Sequence, residues 1–261
     1  MKSREWIKQI RDFFLTIWVA IAVTGYVLVY GAFVLLISWF IEKFRGIEAA
    51  KDYVAQEVGR FGRVAFFVIG SKVSVEGAEN IPPKGPLVIV SNHQSAFDIP
   101  LIVGYVKGRI SFIAKIEVSK IPGFSWFVKR LDGVFIDRGN KIQTAAAIKR
   151  IFNILRNGGT IMLFPEGTRS LDGSIKKFKK GSLSIPHKLN IPILPVAIDG
   201  TKDIMKKGEL LIHPAIVKIR ILKPVYPGKF NTEDELREEI RKMISEAIVQ
   251  MRNRGEEYAS N

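Results

Sequence analysis

The stretch that decides the fold is GPLVIVSNHQSAFDIP, residues 85–100. Leu87–Ser91 is a short, continuous, β-branched run opened by Gly-Pro, and it reads as a strand buried on both faces. Asn92 and His93 follow directly. From Ser95 the chain turns helical, with Ser95 as candidate N-cap and Asp98 three positions on, in the first turn. On one helix, His93 and Asp98 would stand about 140° apart around the axis and could not touch. With a turn between them, the helix points Asp98 back toward His93. In parallel α/β sheets this edge, past the carboxyl ends of the strands, is where ligands bind.

The same alternation recurs outward from this unit. Apolar runs predict strands at Val73–Val75, Ile110–Ala114, Val134–Ile136, Thr160–Phe164, Ile193–Ile198 and Ala215–Leu222. Helical patterns cover 46–70, 97–107, 122–130, 140–157, 179–189 and 232–252, the last capped by Asn231 or Thr232. Strands alternating with helices define an α/β class with a mostly parallel central sheet flanked by helices.

The N-terminus is different in kind. Residues 13–41 carry no charge. One helix of that length measures about 43 Å, against a hydrocarbon core of about 30 Å. It either spans with a strong tilt or breaks near Gly25 or Gly31 into a hairpin that enters and leaves one leaflet. Basic residues flank both sides: Lys2, Arg4, Lys8 and Arg11 before, Lys43, Arg45 and Lys51 after. A spanning helix normally leaves its basic excess on one side, so the flanks favour the hairpin on an anionic surface. The organisation expected is a helical membrane anchor over 1–45 and an α/β domain over 46–261, on the cytoplasmic face of the cell membrane.

Composition narrows the chemistry. The chain of 261 residues has no cysteine, so disulfides and thiolate catalysis are excluded. Its three histidines, His93, His187 and His213, lack the close spacing of a zinc site, and no metal or cofactor is expected. The net charge of +15 points to an anionic partner. Residues 107–182 hold 16 Lys/Arg against 5 Asp/Glu, which puts the excess beside the candidate site. The basic residues lack the interleaved aromatics of a nucleic-acid module, so no nucleic-acid partner is expected.

Within that region, a carboxylate on one imidazole nitrogen would fix the tautomer and leave the other nitrogen as proton acceptor. His93 and Asp98 form that half of a triad with no enzymic nucleophile nearby, so the nucleophile would be a substrate hydroxyl. A capping box with His93 filling a turn is the alternative use of the same letters. In LDGVFIDRGN (131–140), Gly133 opens a strand that Asp137 and Arg138 close; Arg138 suits an anion, and a strand-end salt bridge between Asp137 and a neighbour is the alternative. In FPEGTRS (164–170), Gly167 permits a tight backbone, Arg169 offers a fork for phosphate, and Glu166 could hold that guanidinium or bind a substrate hydroxyl. Gly181 stands at a helix start that could accept an anion. Lys115 closes a strand within reach of a phosphate, and Pro195 suggests a shaped sheet edge. His187 and His213 sit beside prolines with no paired acid in view and read as structural.

The ordered blocks NHQSAFD (92–98), GVFIDR (133–138), FPEGTRS (164–170) and LPVAI (194–198) resemble the glycerolipid acyltransferase family, and within it the 1-acylglycerol-3-phosphate acyltransferases. AKIEVSKIPGF (114–124) is similar to the segment such enzymes carry between the first two blocks. Leu194 departs from a frequent valine. The resemblance covers about residues 70–225. It implies acyl transfer from an acyl carrier protein or coenzyme A thioester to the free hydroxyl of lysophosphatidic acid at a membrane lipid surface. It also implies His93 as general base and Asp98 as its orienter. Gly133, Phe135, Arg138, Glu166, Gly167 and Arg169 map onto substrate-binding positions, with Lys115 beside them. The same blocks serve acylation of glycerol 3-phosphate or another lysolipid, and they do not choose the acceptor.

Overall fold

Strand β2 (Leu87–Ser91) is fully buried and sits inside a five-stranded sheet of order β1-β7-β6-β2-β5. It pairs in parallel on both sides, Val88 standing opposite Ile161 of β5 (Thr160–Leu163) and Ile193 of β6 (Ile193–Asp199). A second parallel pair, β3 (Ile113–Lys115) with β4 (Val134–Ile136), continues the array through a parallel bridge between Ser111 and Ile161. Only β7 (Ile216–Ile221) and its parallel partner β1 (Lys72–Glu76) run the other way. The structure, a computed structural model, describes residues 2–259 except Pro122, Arg138, Leu171, Lys206 and Lys207.

Alternate side chains of the buried strands face opposite layers. Leu87, Ile89, Met162, Leu194 and Val196 pack under α3 (Asp98–Tyr105) and the end of α2 (Gly31–Ile69). Val88, Val90, Ile161, Ile193 and Ala197 pack under α5 (Lys141–Arg156), α6 (Ser184–Leu189) and α8 (Glu233–Ala259). Two short helices, α4 (Phe124–Arg130) and α7 (Thr201–Ile204), complete the order. Thr232 accepts from the Glu235 amide at the start of α8, as its position predicts. Pro195 does not shape an edge, because β6 lies between β2 and β7.

The N-terminal segment departs from expectation. Helix α1 (Lys2–Gly25) passes through a π-helical turn, Tyr26–Tyr30, into α2, and both Gly25 and Gly31 keep right-handed helical angles. The chain breaks instead at Gly46, with φ 85° and ψ 168°, a conformation essentially reserved for glycine. Residues 13–41 are therefore one rod, and the hairpin is made by 2–45 against 47–69. Tyr26 meets the Phe61 ring at 5.3 Å, Tyr30 donates to Glu57 at 2.8 Å, and Val34 clusters with Val54. The second arm belongs to the α/β domain, packing closely on α3.

The rod lies along the domain instead of projecting from it. Asp12 accepts from His213 Nδ1 at 2.7 Å, the Thr16 hydroxyl accepts from the Ile212 amide, and Ser38 bonds Arg130. Val19 is buried in the main core, and a Cβ on Gly31 would stand 3.1 Å from the Phe127 ring. At about 100° per residue, 26 positions of regular helix would put Asp12 and Ser38 about 80° apart. One surplus residue in the π turn cuts this to about 20° and keeps both on the domain.

Candidate active site

His93 follows β2 by two residues, and Asp98 opens α3. The turn brings them together: His93 Nδ1 lies 2.7 Å from Asp98 Oδ2. That same oxygen accepts the amides of Gln94 (2.7 Å) and Ser95 (2.9 Å), and the carboxyl is wholly buried. Ser95 is not the cap of α3; its amide donates to Asp98, and its hydroxyl leans toward Met205 O. Since Asp98 is the acceptor, the proton sits on Nδ1 and the lone pair on Nε2. Among the described residues Nε2 has no hydrogen-bond partner, and the His93 side chain is 19% exposed.

The Asn92 side chain exchanges two bonds with the backbone of Ile198, locking the turn to β6. The loop after β5 is laced to the same turn through the backbone. His93 N donates to Glu166 Oε1 at 2.9 Å, and Ser170 N donates to His93 O at 2.8 Å. The His93 ring stacks on Phe164, centroids 4.0 Å apart and planes 14° from parallel. Glu166 thus holds neither Arg169 nor an open face. Its second oxygen takes the Lys176 amide at 2.9 Å. Burial pushes the Glu166 carboxyl above its ordinary range, against the opposing pull of the two amides and of nearby His93 and Lys176.

Gly167 turns with φ 71°, and a Cβ there would lie 2.6 Å from Lys179 Nζ, so the lysine crosses directly over it. Its amide closes a turn on Phe164 O. The Arg169 guanidinium has no partner among the described residues, which leaves it available to an anion. Lys115 is exposed at the carboxyl end of β3, on the same sheet edge as His93. Phe135 is half-buried and points to the opposite face of β4 from Val134 and Ile136. Gly133 is not brought to this edge. It opens β4 at the amino end, where a Cβ would lie 2.4 Å from Val128, so its role is close packing against α4. Arg138 lies outside the described residues. The amide of Gly181 does not await an external anion, because Glu233 already occupies it and the Leu183 amide. His187 is structural, its Nε2 on Phe230 O. His213 has a partner acid after all in Asp12, 201 positions away.

No local spacing marks Thr201, whose hydroxyl reaches Asp98 Oδ1 across 103 positions. Beside Phe164, a cleft of about 400 Å³ is lined by Ile113, Ile136, Leu163 and Ile185, with Lys179 and Lys180 at its rim.

A buried carboxylate bonded to one nitrogen of a partly exposed imidazole is the geometry of an acid–base pair. Comparison with known proteins gives the class. The acyltransferase family model matches residues 72–199, which include His93, Asp98 and the 164–170 block. A probable 1-acyl-sn-glycerol-3-phosphate acyltransferase of Mycoplasma genitalium is 35% identical over 209 residues, 74% of this chain and 77% of its own. The chloroplastic 1-acyl-sn-glycerol-3-phosphate acyltransferase BAT2 of Brassica napus is 34% identical over 179 residues; this chain spans about half of it (51%). The crystal structure of the 1-acyl-sn-glycerophosphate (LPA) acyltransferase PlsC from Thermotoga maritima superposes with TM-score 0.87 at 40% identity, covering 94% of this chain and 97% of that one. The chain belongs to the acyltransferase family.

Proposed function

We propose that this protein acylates the free sn-2 hydroxyl of lysophosphatidic acid from an acyl carrier protein or coenzyme A thioester, yielding phosphatidic acid for phospholipid synthesis. The observation that carries the reading is His93, held by Asp98 through Nδ1, with Nε2 at the sheet edge and unpartnered among the described residues. The relatives named above supply the substrate class. His93 Nε2 takes the acceptor's hydroxyl proton while that oxygen attacks the thioester carbonyl. The carbon–sulfur bond then breaks, and the departing thiolate recovers the proton from the imidazolium. Arg169 and Lys115 hold the acceptor phosphate. Glu166 and Gly167 shape the loop that carries Arg169.

The apolar face of the rod rests in the membrane, on its cytoplasmic side, so the acceptor's chain stays in the lipid while its head reaches the site. Trp6, Phe13, Phe14, Trp18, Phe33 and Phe40 all lie exposed on it.

The test is acyl transfer by purified protein with both donors against lysophosphatidic acid, glycerol 3-phosphate and lysophosphatidylcholine. Lysophosphatidic acid should be the preferred acceptor, and His93→Ala should lower turnover by about 10² to 10⁴. Preference for glycerol 3-phosphate would reassign the acceptor; near-normal turnover in the histidine variant would remove the base.

A further inference from the structure

We infer that Thr201 is a positioning residue for the transfer, holding the Asp98 oxygen that His93 does not use. The inference rests on the reading of His93 as base. Asp98 Oδ2 receives three donors, while Oδ1 receives the Thr201 hydroxyl as its one donor among the described residues. Both residues are wholly buried, so water does not substitute. The direction of the bond is settled by chemistry. Asp98 only accepts, and the other neighbour of the hydroxyl, Gln94 Oε1, is 3.4 Å away and is also an acceptor. Gln94 turns its Nε2 toward Asp199 at 3.3 Å, which keeps that oxygen on the Thr201 side.

The backbone is built to deliver this hydroxyl. Gly200 follows the carboxyl end of β6 with φ 94°, and a Cβ there would lie 2.1 Å from Ile216 O. Any other residue would push the turn, and Thr201 with it, away from Asp98. The helix it opens is held at its far end by the His213 amide on Ile204 O.

The torsion that swings a carboxylate is soft. Donors on Oδ2 alone fix one oxygen but leave the plane free to rotate about it. Thr201 fixes the second point, and with it the direction of the Nδ1–Oδ2 bond and the aim of Nε2. Its loss should slow the chemical step and spare substrate binding, which is made by other groups.

The experiment compares Thr201→Val, which keeps the shape and loses the donor, Thr201→Ala, which loses both, and Thr201→Ser, which keeps the donor. Turnover, KM for both substrates and melting temperature are measured for each, beside His93→Ala. Val and Ala should lower kcat by about tenfold or more with KM within about twofold, and Ser should stay within about threefold of the parent. Parental kcat in Val, or equal losses in Val and Ser, overturns the inference, because the hydroxyl then does nothing that the shape does not. If Val and Ala do not fold, Thr201→Cys decides: a weak donor should give an intermediate kcat, and a parental one overturns the role. Should His93→Ala itself turn over normally, the base reading falls first. Should it be inactive while Thr201→Val is parental, only the Thr201 assignment falls.

Discussion

Glu166 lies in a block whose letters invite a substrate contact, yet its two oxygens bind the amides of His93 and Lys176 and fasten the third block to the first. Removing it should disturb where His93 sits as well as what it touches. Glutamine keeps one acceptor and sets an amide against the second N–H, a buried mismatch of about 1–3 kcal/mol. The pH dependence has a definite sign. The carboxyl is raised above its unfolded value, so the native state binds more protons, and stability falls as pH climbs through and above the usual glutamate range. The advantage of the parent over Glu166→Gln in denaturant titrations should be greatest at acid pH and shrink toward neutrality; an advantage that grows with pH would contradict the raised value. The His93–Asp98 pair was legible because five positions and one turn join it. Thr201 with Asp98, and Asp12 with His213, are joined only by tertiary folding, and local spacing carries no mark of either.

At the scale of elements, the crossing of α3 with the second hairpin arm depends on side chains that are missing. A Cβ on Gly62 would stand 2.4 Å from Pro100 O and 2.7 Å from the Gly104 amide; one on Gly108 would stand 2.3 Å from Ala55 O. The backbones touch, so the hairpin and the helix that begins with Asp98 form one rigid block. Gly62→Ala must force the two apart and should cost about 2 kcal/mol or more, seen as a lower melting temperature; an unchanged value would show that the contact yields easily. Most strands were readable because buried parallel strands are plain apolar runs with turn residues at their ends. The break in the N-terminal segment was not. Gly25 and Gly31 lie in a charge-free stretch whose backbone groups do best bonded to one another, and Gly31 gives room to the Phe127 ring. Gly46 stands just past Lys43 and Arg45, where the chain can leave the helix at less cost.

For the whole molecule, contacts at Asp12, Val19, Gly31 and Ser38 bind the rod lengthwise to the α/β domain. A rod held over some 40 Å of its own length (about 1.5 Å per residue) cannot cross a bilayer without burying the domain. It can lie in one face with its outward aromatics among the lipids. Because the chain has no native cysteine, single cysteines at the exposed basic positions 8 and 45 are unique labels. In oriented proteoliposomes both should react with an impermeant maleimide added on the side of the α/β domain; reaction of one from each side would show a span. The π turn at Tyr26–Tyr30 gives this arrangement its phase. Winding those five residues as regular α-helix, with none removed, would leave a perfectly good helix but rotate its first 25 residues by about a quarter turn. The outward aromatics would roll sideways and Asp12 would swing off its histidine, so the anchor's grip depends on angular timing as much as on greasiness.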